Sequence, residues 1–251
     1  MPFDSDRFPF GDPFPFISSD AHFSPGQLPN LFLWLDANDL STLFQDSAGT
    51  TAVTSNNDPV GRWADKSGSG RHFLQATSGS RPLYKTNQDG TPGVKFDEVD
   101  DWLEFLLPIG AGFEIYLIAH ATRSSFPGPA NNSDPNLTSG IGGGTTLEIS
   151  FYNGFATTAN AALITQQMTN RWLDGDGGYT GAAISSNDTH IGSGTAGSPV
   201  SNTGFYMGKY SDNVHYTPDA IKGLIVYSNS HTDAERAMIH KWAKLAGRYG
   251  I

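Results

Sequence analysis

Short apolar runs separated by glycine and polar residues fill the chain from residue 31 onward. Residues 31–35 form a continuous apolar run, which predicts a strand buried on both faces. Apolar and polar residues alternate within 112–121 and 147–151, and this period of two is that of a strand. Segments rich in Gly, Ser, Asn and Pro, notably 126–144 and 185–202, predict exposed loops. The pattern therefore predicts an all-β protein built as an antiparallel sandwich.

The C-terminal segment has a different period. Thr232 and Glu235 have the spacing of a helix capping box, in which each side chain satisfies a free backbone N–H of the other residue. Apolar residues then recur at helical spacing from Met238 to Tyr249, and Gly250 offers a stop. We expect one amphipathic helix here, packed on a sheet or against a partner.

Residues 1–30 are rich in phenylalanine and proline. Proline favours an extended backbone, so this arm does not fold alone. Two interpretations are open: the arm buries its rings on its own sandwich, or it inserts them into a neighbouring subunit. In the second case the docking residues are Phe3, Phe8, Phe10, Phe14 and Phe16.

Composition restricts the class of protein. A chain of 251 residues suits one large sandwich, here residues 31–251. It has no cysteine, which excludes a disulfide framework and favours cytoplasmic assembly. A net charge of −10 without a Lys/Arg cluster argues against a nucleic-acid partner. No signal-peptide pattern and no apolar run of roughly 20 residues is present, so we expect no membrane insertion.

Four short segments carry a recognisable order of residues. They read L-W-L-D-A at 33–37, W-A-D-K-S-G-S-G at 63–70, F-D-E-V-D-D-W-L at 96–103 and W-L-D-G at 172–175. Together they resemble the concanavalin A-like lectin and glucanase superfamily, specifically the laminin-G-like modules of phage and bacterial surface proteins. The resemblance covers residues 31–251 and implies a jelly roll of two antiparallel sheets, a scaffold for binding sugars or proteins.

Glu98, Asp100 and Glu104 are the candidate catalytic carboxylates. The family usually has glycine at position 98, and its retaining β-glucanases carry two glutamates and an aspartate on one strand face. Retaining hydrolysis needs carboxyl groups about 5–5.5 Å apart. Residues six apart in a strand are separated by roughly 20 Å, and the resemblance implies a turn at 99–100. We therefore predict that the protein is not an enzyme, and assign no catalytic residue and no cofactor.

Acidic residues in loops are the candidate metal ligands. Asp174 and Asp176 lie in a glycine-rich segment, and Ca²⁺ favours carboxylate oxygens. The segment lacks the third acidic ligand and distal glutamate of a dedicated calcium loop, so a surface turn is the alternative and no bound metal is expected. Asp97, Asp100 and Asp101 are expected to form a turn by accepting backbone N–H bonds.

Sugar binding leaves a different pattern, in which aromatic rings on loops stack on pyranose faces beside polar groups. Segments rich in Gly, Asn and Asp contain the candidate carbohydrate contacts; the alternative is that each residue covers the sandwich edge. These candidates are Tyr152, Asn153, Tyr179, Tyr210, His215 and Tyr216.

These features and the resemblance predict a non-enzymatic virion surface protein, such as a head decoration, a fibre or a tail adhesin, that binds host-surface carbohydrate. Its N-terminal arm would anchor it to other virion proteins. We expect it to assemble in the host cytoplasm and to be oligomeric in the particle. Two alternatives stay open: a glycan-active hydrolase of the glucanase type, and a purely structural capsid or tail cement protein with no sugar ligand.

Overall fold

The structure is a computed structural model that describes residues 23–97, 99–105, 111–121, 139–143, 147–151, 168–177, 188–196, 205–208 and 220–251. Fifteen strands and one α-helix lie in these ranges. They are β1 Leu31–Asp36, β2 Leu43–Phe44, β3 Arg62–Trp63, β4 Phe73–Leu74, β5 Leu83–Gln88, β6 Thr91–Lys95, β7 Leu103–Phe105, β8 Glu114–Ala121, β9 Ser139–Gly143, β10 Leu147–Phe151, β11 Met168–Leu173, β12 Asp176–Gly177, β13 Asp188–Ala196, β14 Phe205–Met207, β15 Ala220–Tyr227 and α1 Asp233–Lys244.

The strands form two antiparallel sheets. Sheet 1 has the order β12-β11-β13-β8-β15-β6-β5, with β1 also paired to β15. Sheet 2 has the order β10-β9-β14-β7-β4-β3-β2. Short strands joined by turns were expected from the apolar runs, and the prediction of an all-β antiparallel sandwich with one C-terminal helix is confirmed. Residues 1–22 of the arm lie outside the described residues.

Strand β15 lies at the centre of sheet 1. Its first residues, Ala220 and Ile221, pair with β6, and its remainder from Gly223 to Tyr227 pairs with β1. Strand β8 pairs along the other edge, with a bulge between Ile221 and Gly223. Every residue of β15 is buried, because one face of sheet 1 packs on sheet 2 and the other face is covered as well.

Two apolar cores result from this covering. The core between the sheets contains Leu33, Leu35, Trp63, Phe73, Phe96, Leu103, Leu117 and Val226. The second core lies between the outer face of sheet 1 and the helix α1 together with residues 23–28, and contains Phe23, Leu28, Tyr116, Ile118, Ile225, Tyr227, Ile239 and Trp242. Both faces of β8 are thus buried, although the alternation of polar and apolar residues along the strand is typical of one with an exposed face.

The predicted capping box starts α1. Thr232 Oγ1 accepts from the Glu235 N–H at 3.3 Å, and the Thr232 N–H donates to Glu235 Oε2 at 2.7 Å. The helix is shorter than its apolar period predicted: it ends at Lys244, and Ala246 has a left-handed φ of 54°. Among the described helices, none is long and apolar enough to cross a membrane.

The outer face of sheet 2 carries a lateral row of side chains. Phe44, Arg62, Leu74 and Glu104 are neighbours across β2, β3, β4 and β7. The residues that alternate with them, such as Trp63, are buried in the core. Leu74 is 37% exposed, so this face reaches solvent in the middle of the row. We call it the open row.

Candidate functional site

One end of the sandwich carries the loop that contains Asp97, Asp100 and Asp101. This loop leaves β6 in sheet 1 and enters β7 in sheet 2. Lys95, the last residue of β6, pairs with Ala220, the first residue of β15. We call this the acidic end, defined by residues 95–101 and the strand ends beside them.

The connection between β14 and β15 starts and finishes at the acidic end. Gly208, directly after β14, lies on the ring of Phe96: a Cβ at position 208 would stand 2.1 Å from Phe96 Cδ1. At its other side, Ala220 pairs with Lys95. Both flanks of the 209–219 segment, Gly208 and Ala220, therefore lie next to the acidic loop. This segment contains the predicted sugar contacts Tyr210, His215 and Tyr216.

Strand β10 ends on the same side. Strand β9 pairs antiparallel with both β10 and β14, so those two strands run in the same direction. The last residue of β10, Phe151, therefore lies towards the same end of the sandwich as Met207, the last residue of β14. Tyr152 and Asn153 follow β10 immediately.

Tyr179 is different from the other candidates. It follows β12, which pairs antiparallel with β11. Strand β8 ends at the acidic end, and β13 starts beside it and runs away from that end. Strand β11 runs antiparallel to β13, so β12, which is antiparallel to β11, also leads away from the acidic end. All six predicted sugar contacts lie outside the described residues, so their side chains stay predictions.

Backbone hydrogen bonds fix the acidic loop. Asp97 Oδ1 accepts the N–H groups of Val99 at 2.8 Å and of Asp100 and Asp101 at 3.2 Å each. This is the turn-forming role expected from the sequence. The turn precedes β7, which begins at Leu103, so residues 97–104 do not form the continuous strand that a glucanase-type carboxylate arrangement requires.

A second crossover holds the acidic loop in place. Ser80 Oγ donates to Asp100 Oδ2 at 3.0 Å, and the Trp102 N–H donates to the Ser80 carbonyl at 3.2 Å. Gln75 Nε2, buried after β4, donates to the Trp102 carbonyl at 3.0 Å. The sequence could not indicate these contacts, because Ser80 and Gln75 are ordinary polar loop residues distant from Asp100 along the chain.

Asp101 is the buried member of the acidic loop. It is 5% exposed, whereas Val99 beside it is 69% exposed. Burial, followed by the negative charges of Asp97 and Asp100, raises the pKa of the Asp101 carboxyl to about 7. The sequence did not predict this burial, since the D-D pair reads as a plain surface turn.

The calcium candidate Asp174 has another use in the fold. Its Oδ2 lies 2.7 Å from His190 Nδ1, and its Oδ1 accepts the Ile191 N–H at 3.0 Å. The carboxylate therefore ties the β11–β12 turn to β13, and both of its oxygens are engaged. The side chain of Asp176 lies outside the described residues, and calcium binding by this pair stays a prediction.

Ser193 and His240 form a buried pair that resembles a nucleophile and its base. Ser193 Oγ lies 2.8 Å from His240 Nε2, and His240 Nδ1 accepts the Gly175 N–H at 3.0 Å. Because Nδ1 accepts, the proton of the neutral ring is on Nε2, which donates to Ser193. Burial lowers the pKa of His240 to about 4. The imidazole thus offers Ser193 a donor and no base, so the pair is structural.

The chain before β1 joins the sandwich at the end opposite the acidic end. Leu31 pairs with Tyr227, the last residue of β15, and Tyr227 Oη donates to the Pro25 carbonyl at 2.8 Å. Ala220 marks the acidic end of the same strand. The seven residue steps of β15 separate these two ends by roughly 23 Å.

No family model matches this chain, and no curated protein matches it. Solved structures do. A Trypanosoma rangeli sialidase is 11% identical over 87% of this chain and 33% of its own, with a TM-score of 0.44. The structure of a Trypanosoma rangeli sialidase in complex with sialic acid is 10% identical over 87% of this chain and 34% of its own, with a TM-score of 0.42. Domain 4 of a GH43 extracellular arabinanase from Geobacillus stearothermophilus, in complex with arabinotriose, is 12% identical over 83% of this chain and 97% of its own, with a TM-score of 0.39.

The matched proteins are sialidases and an arabinanase domain, and the chain spans about a third of the sialidases' length. They contradict the prediction that this protein is not an enzyme; that prediction is wrong and is not carried further. The specific concanavalin A-like assignment is not confirmed. At these identities and TM-scores, neither a substrate nor a mechanism is transferred to this chain.

Proposed function

We propose that this protein binds carbohydrate at the acidic end. The observation that carries the proposal is the position of both flanks of the 209–219 segment, at Gly208 on Phe96 and at Ala220 beside Lys95. The end of β10 on the same side adds a second aromatic segment. Five of the six sugar contacts predicted from sequence thus follow strands, β10 and β14, that end on the side of the acidic end.

The chemistry of this end suits a sugar. Carbohydrate sites combine aromatic rings, which stack on pyranose faces, with a few polar groups that bind hydroxyls. The described acidic loop supplies carboxylate acceptors at its surface, where Asp97 is exposed. The neighbouring segments supply tyrosines 152, 210 and 216.

The proposal includes a virion surface as the setting. Its support is the phenylalanine-rich arm and the position at which that arm joins the fold. Residues 25–31 lie at the end opposite the acidic end. A protein anchored through this arm would present its sugar-binding loops away from the anchor, as an adhesin requires.

A glycan array followed by calorimetry with the strongest ligand tests the binding site. Tyr210→Ala and Tyr216→Ala should each weaken binding about tenfold, because each removes a stacking ring. Tyr179→Ala is the matched control, since the same residue type there follows a strand that leads elsewhere, and it should leave affinity unchanged. Equal losses in all three variants, or binding by none of the arrayed glycans, would refute the proposal.

Cleavage is assayed on the same glycans. Glu104 lies on the open row beside Leu74, where an extended glycan has access. If reducing sugar is released by the wild type and the release is lost in Glu104→Gln, hydrolysis belongs to this protein and is located on the open row. Binding without release assigns the acidic end a recognition role alone.

A further inference from the structure

Arg62 on the open row is held in one position by its neighbours. Its Nη1 donates to the Ala48 carbonyl at 3.1 Å, and its Cζ lies 5.8 Å from the centre of the Phe44 ring. The side chain also lies against Gly49, where an added Cβ would stand 2.9 Å from Nη1 and 3.0 Å from Cδ. The guanidinium is therefore fixed in place before a ligand arrives, which lowers the entropy cost of binding.

Among the described residues, the charge of Arg62 has no acidic partner. The chain has 25 Asp and Glu against 15 Lys and Arg, and Arg236 alone pairs with both Glu114 and Asp233. Arg62 forms no such pair in the described part of the chain, where its one hydrogen bond goes to Ala48. Its Nε is buried without an acceptor. Both N–H groups of Nη2 and one of Nη1 thus remain for a ligand.

A second donor lies beside Arg62. His72 directly precedes Phe73, a core residue, so it shares the outer face of sheet 2 with Leu74. Because Arg62 pairs with Leu74, His72 is the diagonal neighbour of Arg62. His72 Nδ1 accepts the Asp65 N–H at 3.0 Å, so the proton of the neutral ring is on Nε2. Burial, followed by the charge of Arg62, lowers the pKa of His72, which keeps the ring neutral at pH 7.

The order of side chains along the open row favours an extended ligand that has both a carboxylate and hydroxyl groups. Leu74 separates Arg62 from Glu104, and the two strand spacings between them amount to roughly 10 Å. A carboxylate at Arg62, an apolar sugar face over the exposed Leu74 and a hydroxyl donor at Glu104 fit this order. Strands β3, β4 and β7 pair with one another, so the row offers side chains and no free backbone groups to a peptide.

We propose that Arg62 and His72 bind the carboxylate of a hexuronic acid that is joined to neutral sugars. The planar guanidinium matches a carboxylate with two parallel N–H···O bonds, and His72 Nε2 adds a third donor. The neutral sugars continue over Leu74 to Glu104, where a second carboxylate would be repelled. The inference rests on the proposed function for the class of ligand, but its site is the open row and not the acidic end.

The test uses matched pairs of tetrasaccharides of β-1,4-linked glucose, β-1,3-linked glucose and α-1,4-linked galactose. In each pair one member is neutral and the other has a uronic acid as its terminal sugar. Calorimetry on the full chain should show that the acidic member of at least one pair binds about tenfold more tightly than its neutral partner. No preference in any pair overturns the proposal. So does equal affinity for a capped peptide of four glutamates, which would indicate an acidic peptide as the ligand.

Three variants locate the carboxylate site. Arg62→Gln should abolish the preference for the acidic member, and His72→Asn, which keeps an acceptor for the Asp65 N–H, should reduce it about threefold. Arg248→Gln is the matched control: Arg248 also stacks on a ring, 4.7 Å from the centre of Trp242, and its loss should leave the preference intact. A preference kept in Arg62→Gln, or lost equally in Arg248→Gln, overturns the proposal. If Arg62→Gln does not fold, an unchanged preference in His72→Asn does so.

The same titrations separate this site from the one at the acidic end. Tyr210→Ala and Tyr216→Ala should keep the preference for the acidic member, because neither residue belongs to the open row. Glycan binding that depends on these tyrosines but shows no preference for the acid overturns the carboxylate site alone. A preference that depends on Arg62, with no effect of either tyrosine variant, supports the carboxylate site and refutes sugar binding at the acidic end.

Discussion

Gly208 and Phe96 are in direct contact at the acidic end. A Cβ added to Gly208 would stand 2.1 Å from Phe96 Cδ1, and the residue has a φ of 89°. Both the close approach and the left-handed backbone require glycine. The contact joins the end of β14 in sheet 2 to the acidic loop that leaves sheet 1. It thereby fixes the described residue that precedes the 209–219 segment.

Gly208→Ala should lower the free energy of unfolding by about 2 to 4 kcal/mol, combining backbone strain with overpacking against a fully buried ring. Gly68→Ala is the matched control: its φ of 83° is similar, but its Cβ would meet no atom within 4 Å. That variant should lose about 1 kcal/mol. Urea denaturation of both variants measures the difference, and equal losses would show that the Phe96 contact carries no strain.

A buried ion pair fastens α1 to sheet 1. Arg236 Nε donates to Glu114 Oε1 at 2.7 Å and Arg236 Nη2 donates to Oε2 at 3.0 Å, with Thr195 Oγ1 also donating to Oε2 at 2.7 Å. Glu114 is fully buried and Arg236 is 2% exposed. Neither charge reaches water, so each depends on the other.

Arg236→Met should therefore destabilise the protein by about 3 to 5 kcal/mol, because it leaves the Glu114 charge buried without a partner. Asp233→Asn removes the exposed contact of the same arginine, whose partner side chain is 81% exposed, and should cost at most about 1 kcal/mol. Thermal unfolding of the two variants distinguishes the contacts. Similar losses would mean that the buried pair is not the main attachment of the helix.

The stability of the fold should depend on pH through His240. Its pKa is about 4 in the native protein, below the ordinary value of 6.5. Between these values the unfolded chain binds more protons at this residue, so the contribution of His240 to the free energy of unfolding should rise as pH increases from about 4 to 6.5 and stay level above that range. Asp101, whose pKa is raised to about 7, contributes with the opposite sign over this range, so the effect of His240 is the difference between the profiles of wild type and His240→Gln. The gain amounts to about 3 kcal/mol. Denaturation of wild type and His240→Gln across pH 4–7.5 checks this, and parallel pH profiles would contradict it.

Deleting residues 2–22 should leave the sandwich folded. The second core begins at Phe23, and Pro25 accepts from Tyr227, so the deletion ends just before the described packing. If the arm is an anchor, the shortened protein should keep its melting temperature and its glycan binding but lose incorporation into particles. Normal incorporation would remove the anchoring role, and a large fall in melting temperature would show that the arm packs on its own sandwich.

Local patterns predicted the elements whose cause is local. The capping box of Thr232 and Glu235 and the strand at 31–35 were read from sequence and are found in the structure, although within that strand Leu33 and Leu35 are buried while residues 31, 32 and 34 are only partly buried. The acidic loop was only half predicted. Its turn follows from Asp97, but the contacts that hold it come from another crossover, with Ser80 bonded to Asp100 and Gln75 bonded to the Trp102 carbonyl.

The remaining differences between the sequence predictions and the structure come from tertiary packing. The period of β8 was read correctly, yet Tyr116 is fully buried because α1 and residues 23–28 cover that face. The Ser193–His240 pair had no sequence signal, since β13 and α1 meet only in the folded chain. The contact between Gly208 and Phe96 likewise had no sequence signal, because only the folded sheets bring these two residues together.

The most direct test of carbohydrate binding at the acidic end is an NMR titration of isotope-labelled protein with the strongest glycan found on the array. If the acidic end binds the glycan, the amide signals of Val99, Asp101, Gly208 and Ala220 should shift with ligand. Those of Asn30 and Ser228, at the opposite end, should stay fixed. Shifts confined to Arg62, Leu74 and Glu104 on the open row, or to the opposite end, would contradict the account.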